Sequence, residues 1–166
     1  MVCHAEISVV KAMTATIVAC ATGPIRAGIS IVRVSGPLAK AIGAKVCQRP
    51  LSSPNKCVYR SIYDKNGQQI DKGIVVFYKG PASFTGEDLV ELQTHGSPFI
   101  VDQVIEACIT HGAEFARPGE FSERAFLNGK IDLVQAESIA DLINAQSSAQ
   151  ASAALASLQG ALSQEV

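Results

Sequence analysis

No stretch of this 166-residue sequence approaches the ~18 consecutive apolar residues that a membrane-spanning helix requires. Near the N-terminus, His4, Glu6 and Lys11 interrupt any apolar core of a secretory signal peptide. The sequence therefore lacks the patterns of a membrane-spanning or exported chain, and we expect a cytoplasmic protein.

Metal-binding and disulfide motifs are missing as well. The five cysteines form no CxxC pair and show no zinc-ligand spacing with the three histidines. An odd number of cysteines without such spacing indicates reduced thiols, and we predict no metal site. The cysteines are Cys3, Cys20, Cys47, Cys57 and Cys108.

The sequence also has little net charge. Its formal charge of −1 at pH 7 gives no general attraction to a phosphate backbone. Any contact with RNA must therefore be local, or a partner must supply it.

Three common catalytic and nucleotide-binding motifs are absent. Neither the nucleophile elbow GxSxG, the dinucleotide-binding GxGxxG nor the phosphate-binding GxxxxGK[ST] occurs. On its own residues, the chain does not look like a self-contained enzyme, and we predict no catalytic residue in it.

What is present is the composition of a folded protein. Hydrophobic residues make up 48% of the chain and charged residues only 17%, which is enough apolar surface to build a core. A chain of this length usually forms one compact domain, or one domain and part of a second.

Residue periodicity predicts a mixed sheet in the first two thirds of the chain. Period-two alternation indicates strands, and the turn sequence DKNG at 64–67 indicates a hairpin. Because a hairpin interrupts the alternation of strands and helices, we predict an α+β fold with a mixed β-sheet and flanking helices. The predicted strands are residues 16–21, 29–35, 57–63, 70–78 and 88–95, and the predicted helices open at Gly36-Pro37 and at Ser97-Pro98, the second ending at Gly112.

Beyond about Arg117, only helical patterns remain. Pro118 is expected to open a short helix that Asn128-Gly129 closes, and Asp132 with Gln135 has capping-box spacing. A third helix is expected near Ser147. We predict a disordered extension at residues 1–12, an N-terminal domain at 13–117 and the first part of an all-helical domain at 118–166.

Arg33 and Glu91 are charged residues that lie in the middle of predicted strands. Arg33 shares a strand face with Ile31, and Glu91 lies between two apolar neighbours. A buried guanidinium or carboxylate needs a partner of opposite charge or a ligand. For each residue the pattern leaves two interpretations open, a ligand contact or a solvated sheet face.

His95, Glu87 and Asp88 are weaker candidates. His95 could act as a general base or metal ligand, but no second histidine or carboxylate lies at ligand spacing, which favours a structural role. Glu87 and Asp88 adjoin, and neighbours on an extended segment point apart. A loop-capping role is therefore favoured over an acid/base pair.

Several strings of residues occur together in one order. They are TIVACAT at 16–22, RVSGP at 33–37, SFTGED at 83–88, HG at 95–96, ARPGEFSERAFLN at 116–128, QAE at 135–137, IADLI at 139–143 and SLQG at 157–160. In this order, from about residue 14 to the C-terminus, they resemble the tRNA-modification GTPase family MnmE, also called TrmE.

The resemblance implies an enzyme that, with the FAD-dependent partner MnmG (GidA), installs an aminomethyl-type group at C5 of the wobble uridine in certain tRNAs. GTP hydrolysis, helped by potassium and magnesium, would drive its conformational cycle. The N-terminal domain would bind 5-formyl- or 5,10-methylene-tetrahydrofolate as the one-carbon donor and form the homodimer. Its fold would be similar to the folate domains of aminomethyltransferases.

By motif, the family's folate-contacting residues fall on Arg33, Glu91 and Lys130. A carboxylate such as Glu91 can accept the amino group and the ring N–H of a pterin together. Arg33 and Lys130 could meet the anionic glutamate tail, although which residue meets which end of the ligand stays open. Lys130 follows the Asn128-Gly129 turn, so we expect that turn to fold back over the folate site.

The sequence departs from the family in two respects. The glycine-rich loop after the first strand usually reads close to PPGRGGVG; Arg26 and Gly28 are retained here. A Cβ at a substituted position could alter ligand affinity, because it restricts conformation and access. The replaced loop positions are Gly23, Ile25, Ala27 and Ser30.

The family's GTPase domain and C-terminal cysteine motif are not in these 166 residues, so we expect neither GTPase nor transferase activity from this chain alone.

Two other functions stay open. A stand-alone folate-dependent one-carbon transferase would need a catalytic Asp or Cys near the folate carbon, and no motif places one there. In a purely structural dimerisation platform, Arg33 and Glu91 would pair at an interface or within the sheet. The platform predicts that reduced folates have no effect on the melting temperature.

Overall fold

The computed structural model describes residues 15–23, 25–51 and 53–159. Described residues up to Pro118 form one compact unit, and those from Gly119 form a second. The predicted extension at residues 1–12 lies outside the described residues.

The first unit is a six-stranded sheet with helices on one face. Its strands lie in the order β3-β4-β5-β2-β1-β6, and each neighbouring pair is antiparallel except β1 with β6, which is parallel. The predicted α+β fold with a mixed sheet is therefore confirmed. The elements are β1 (Ile17–Cys20), β2 (Ala27–Ser35), α1 (Ala39–Val46), β3 (Cys57–Tyr63), β4 (Gln69–Tyr78), β5 (Leu89–Gly96), α2 (Pro98–Thr110) and β6 (Glu114–Phe115).

The core lies between one face of the sheet and the two helices. Ile42 of α1 and Val104 of α2 are fully buried in one cluster with Val32, Val34 and Leu92 of the central strands. Burying an aliphatic side chain of this size contributes about 1.5–3 kcal/mol. Since successive residues of a strand point to opposite faces, the residues between these core positions lie on the face that α1 and α2 leave open.

The predicted hairpin is present and joins β3 to β4. The Asp64 carboxylate accepts hydrogen bonds from the backbone N–H groups of Asn66 and Gln68 at 2.9 and 2.8 Å. Gly67 takes the left-handed conformation at φ +80° that such turns require. Local chemistry thus fixes this turn as the sequence indicates.

The first helix begins later than its proline suggests, whereas the second begins at its proline. Leu38 N–H donates to Thr16 Oγ1 at 2.8 Å, and α1 begins only at Ala39, so Pro37 lies in the preceding turn and not at the first helical position. In α2 Pro98 does open the helix, but the side chain of Ser97 makes no capping hydrogen bond. Gly112 stands just past the end of α2 with φ +107°.

The second unit is helical, as predicted. Its elements are α3 (Glu120–Leu127), α4 (Leu133–Asn144) and α5 (Ser148–Leu158). Helix α3 begins at Glu120 and not at Pro118, because Gly119 at the N-cap has a left-handed φ of 75° that breaks the helical backbone.

The predicted capping box opens α4. Asp132 Oδ1 accepts from Gln135 N–H at 2.7 Å, and Gln135 Oε1 accepts from Asp132 N–H at 3.0 Å. Ser147 caps α5 in a similar way by accepting from Gln150 N–H at 3.2 Å. Gln135 Nε2 also donates to Leu158 O at 2.9 Å, which ties the start of α4 to the end of α5. Among the described residues, no helix is both long and apolar enough to cross a membrane.

Candidate functional site

Arg33 and Glu91 face each other across the two central strands. They are direct register partners on β2 and β5, and Arg33 Nη2 and Nε donate to Glu91 Oε1 at 2.7 and 3.1 Å. Their side chains keep 24% and 13% of their exposed area. The pair is therefore largely withdrawn from water but still reachable from the open face of the sheet. This differs from a solvated sheet face, which was one of the two interpretations that the sequence left open.

Two aromatic side chains adjoin this pair. The Phe84 ring centroid lies 5.3 Å from Arg33 Cζ, within cation–π distance. Burial raises the pKa of the Tyr78 phenol, and the negative charge of Glu91 and a hydrogen bond with Glu91 raise it further. Tyr78 is thus a protonated phenol at neutral pH, and the site combines a charged pair with two rings.

The loop at residues 79–88 positions Phe84. Ser35 Oγ donates to Glu87 Oε2 at 2.7 Å and lies 2.7 Å from Thr85 Oγ1. Ser35 and Thr85 are fully buried. These contacts fasten the loop to the end of β2, the strand that carries Arg33.

Glu87 and Asp88 accept hydrogen bonds that hold this loop in place. Glu87 accepts the Ser35 hydroxyl, and Asp88 Oδ1 accepts the Gly80 N–H at 3.0 Å. The two carboxylates point to different partners, so the loop-capping role that the sequence favours agrees with the structure.

His95 contacts the neighbouring strand β4. Its Nδ1 lies 2.8 Å from Asp71 Oδ1, and its backbone N–H donates to Asp71 Oδ2 at 2.8 Å. This arrangement supports the structural role favoured for His95. In the part of the chain that the structure describes, no group of three or more His, Cys, Asp and Glu side chains could hold a metal ion.

Asp71 is expected to make an acid-sensitive contribution to stability. Burial alone would raise the pKa of this carboxyl, but hydrogen bonds from His95 and Lys72 outweigh burial and lower it from the usual 3.8. A group whose pKa is lower in the folded state stabilises above its unfolded pKa, and this contribution is lost as pH falls through the folded pKa. We expect Asp71→Asn to lower the free energy of unfolding at neutral pH, with the difference from the unsubstituted chain shrinking below pH 3.8.

Denaturant unfolding at neutral pH and at about pH 3 measures this difference. Asp102→Asn, which removes an exposed carboxylate of α2, is the matched control. A destabilisation by Asp71→Asn that does not change with pH would contradict the expectation.

The third residue assigned by resemblance, Lys130, lies in the second unit. It is exposed, and its backbone N–H donates to Ala125 O at 2.8 Å just after the end of α3. The structure therefore brings Arg33 and Glu91 together within one unit, and the assignment of Lys130 stays a prediction.

The substituted glycine-rich loop leads into β2. Ile25 is 73% exposed, and Ala27 pairs with Gly96 at the start of the strand. A Cβ added at the retained Gly28 would meet no heavy atom of the described residues within 4 Å. There is therefore space for a small side chain at position 28.

The described cysteines are free thiols, in agreement with the sequence. Burial raises the pKa of Cys47 to about 11 and that of Cys108 to about 12. Such thiols stay protonated at neutral pH and are poor nucleophiles. They give no support to the alternative of a stand-alone transferase.

Sequence comparisons identify similar proteins along almost the whole chain. A family profile described as "GTP-binding protein TrmE N-terminus" matches residues 16–130. A "tRNA modification GTPase MnmE" of Legionella pneumophila (strain Paris) is 53% identical over 151 residues, which cover 91% of this chain and 34% of that protein. A protein of the same name in Pseudomonas paraeruginosa (strain DSM 24068 / PA7) is 54% identical over 156 residues, covering 94% and 34%. The chain thus spans about a third of the length of the curated relatives it matches.

Proposed function

The chain belongs to the family of the GTP-binding protein TrmE N-terminus, and we propose on that basis that it binds a reduced folate at the Arg33–Glu91 pair. The observation that carries the proposal is this pair itself, which is largely withdrawn from water and adjoined by Phe84 and Tyr78. The family resemblance gives the ligand class, and the chemistry of the site fits it.

The donor pattern of a pterin matches the carboxylate of Glu91. A pterin offers an amino group and an adjacent ring N–H, which one carboxylate can accept side by side. The rings of Phe84 and Tyr78 supply flat surfaces of the kind that planar heteroaromatic ligands contact. Glu91 is therefore proposed as the residue that recognises the pterin.

Arg33 has two roles in this proposal. Without ligand it pairs with the Glu91 carboxylate. This pairing avoids the free-energy cost of a partly buried carboxylate that lacks a partner of opposite charge. With ligand it holds the Glu91 carboxylate in position beside the pterin, and the anionic glutamate tail, at the other end of the ligand, is left to Lys130, the third residue that the resemblance assigns.

The wider function is proposed from the relatives. They are named tRNA modification GTPases, so tRNA is the proposed RNA substrate. We assign the protein to modification of C5 of the wobble uridine together with MnmG (GidA), in the cytoplasm, with a 5-formyl- or 5,10-methylene-tetrahydrofolate as one-carbon donor. GTP, potassium and magnesium would act in a GTPase domain outside these 166 residues.

A homodimer is also part of the proposal. The open face of the sheet carries exposed apolar side chains, among them Ile29 and Ile74, which line one shallow cavity of about 190 Å³. Exposed apolar patches of this kind commonly mark protein contacts. A second copy of the chain is the proposed occupant.

The structural platform remains the competing function, because it too expects Arg33 and Glu91 to pair within the sheet. The two functions differ in their response to ligand. For this reason the test must measure folate binding, because the presence of the Arg33–Glu91 ion pair is expected under both functions.

Thermal unfolding with increasing 5-formyltetrahydrofolate makes this distinction. At a ligand concentration about 100 times the dissociation constant, binding stabilises the folded state by about 2.7 kcal/mol. For a chain of this size that is a rise of roughly 5–10 °C in the melting temperature. The control ligand is p-aminobenzoylglutamate, which keeps the anionic tail but lacks the pterin and should have a much smaller effect. An unchanged melting temperature with both ligands would favour the platform.

A further inference from the structure

A second cavity of about 400 Å³ lies beside the edge strand β3 and shares Tyr59 and Lys72 with the shallow cavity described above. Neither Arg33 nor Glu91 lines it. Its lining includes three cationic side chains and several polar groups, and none of its lining residues is a carboxylate. The residues that matter here are Arg49, Tyr59, Arg60, Ser61, Tyr63 and Lys72.

The acidic residues nearest along the chain do not line this cavity. Asp71, next to Lys72, is held by the side chain and the backbone N–H of His95. Asp64, at the end of β3, accepts two backbone N–H groups of the hairpin turn. Burial raises the pKa of the Cys47 thiol to about 11, so this lining residue is neutral at pH 7. The lining itself therefore carries three positive charges and no negative one.

Arg60 is short of hydrogen-bond acceptors. Its Nη2 donates to Pro50 O at 3.2 Å, while its Nε is buried and has no partner among the described residues. A guanidinium carries five N–H donors, and a buried donor without an acceptor costs about 1–3 kcal/mol. An anion in the cavity would supply acceptors to the same guanidinium.

Aromatic side chains also line the cavity. Tyr59 is 70% exposed, and Tyr63 is half-buried on the same strand. Proteins that bind single-stranded nucleic acid combine cations that track the phosphates with aromatic rings on which bases stack. The volume also falls within the range of about 300–1,000 Å³ that is usual for ligand cavities.

We propose that this cavity binds a phosphate-bearing nucleotide of RNA, with Arg49, Arg60 and Lys72 contacting the phosphates and Tyr59 contacting a base. The inference rests on the proposed function, which makes tRNA the substrate. It agrees with the formal net charge of −1, because a chain without general attraction to RNA must bind it locally.

The test compares two double variants that change the net charge equally. Arg49→Gln with Lys72→Gln removes two cations from the cavity, and Lys40→Gln with Lys79→Gln removes two that do not line it. Each takes the formal net charge from −1 to −3, since two positive charges are lost. Arg60 is left intact because it is half-buried and its replacement could disturb the fold.

Fluorescence anisotropy with a labelled, unmodified tRNA transcript gives the readout at several salt concentrations. We expect the cavity variant to bind roughly tenfold more weakly and to lose about two units from the slope of log affinity against log salt. The control variant should stay within about twofold of the unsubstituted chain. Equal weakening in both variants, or no binding by the unsubstituted chain, would overturn the inference.

Two further arms identify what is bound. Competition by uridine monophosphate should be far weaker than competition by unlabelled tRNA, and equal competition per phosphate would overturn the assignment to RNA. The cavity variant should still bind 5-formyltetrahydrofolate like the unsubstituted chain. Failure of the RNA arm with folate binding intact overturns only this inference, whereas absence of folate binding overturns the proposed function.

Discussion

Glu91→Ala is expected to weaken binding of 5-formyltetrahydrofolate by about tenfold to a hundredfold. The substitution removes the carboxylate proposed to accept two donors of the pterin, and hydrogen bonds to a charged group contribute about 1.5–3 kcal/mol. It also removes the carboxylate on β5 to which the largely withdrawn Arg33 guanidinium donates. Calorimetric titration of each purified chain measures the dissociation constant.

Two other variants make this result specific. Gln93→Ala truncates a polar residue two positions along β5 on the same face, and it should bind folate nearly as well as the unsubstituted chain. Glu91→Gln keeps the shape of the side chain but replaces one acceptor by a donor, so it should resemble Glu91→Ala in affinity. Folate binding by Glu91→Ala as tight as that of Gln93→Ala would remove Glu91 from the site.

Gly73→Ala is expected to destabilise the chain by about 3 kcal/mol or more, a large effect for a single methyl group. A Cβ at this position of β4 would overlap the carbonyl oxygen of Gln93 and lie 3.0 Å from its carbonyl carbon. Both atoms are backbone of the adjacent strand β5, so relief requires β4 and β5 to separate. Urea unfolding followed by circular dichroism measures the change.

Gly28→Ala is the matched control for Gly73→Ala. Both glycines lie within strands of the same sheet, but a Cβ at Gly28 meets nothing within 4 Å among the described residues. We expect a change within about 0.5 kcal/mol for Gly28→Ala. Equal stability of the two variants would contradict the close approach of β4 and β5 at Gly73.

Features that depend on neighbouring residues were predictable from the sequence. The hairpin turn follows from Asp64 and Gly67, and the start of α4 follows from the reciprocal bonds of Asp132 and Gln135. Period-two alternation also predicted the strand that carries Glu91, which the structure has as β5. In each case the stabilising contacts lie within a few residues, where sequence patterns carry the information.

Features that depend on distant residues were not predictable in the same way. Arg33 and Glu91 are 58 residues apart, and they meet only because β2 pairs with β5 in one register. The start of α1 depends on a hydrogen bond from Leu38 to Thr16, 22 residues away. Local helix-start rules therefore placed Pro37 wrongly.

The aromatic part of the site was missed for a similar reason. Phe84 lies in the segment SFTGED at 83–88, which resembles the family, but nothing in the sequence indicated that its loop folds against Arg33. Tyr78 ends a strand whose neighbour is β5, so its contact with Glu91 follows only from the sheet order. The register pairs Glu91 with Val76, and Tyr78 lies two residues further along β4 on the same face, as a diagonal neighbour of Glu91.

The central claim is that this chain binds a reduced folate, and calorimetric titration of 5-formyltetrahydrofolate into the unsubstituted chain tests it most directly. The proposed site predicts saturable heat with one ligand per chain, lost or strongly reduced in Glu91→Ala. The absence of saturable heat from a chain shown to be folded would contradict the claim and leave the dimerisation platform as the better account of the Arg33–Glu91 pair.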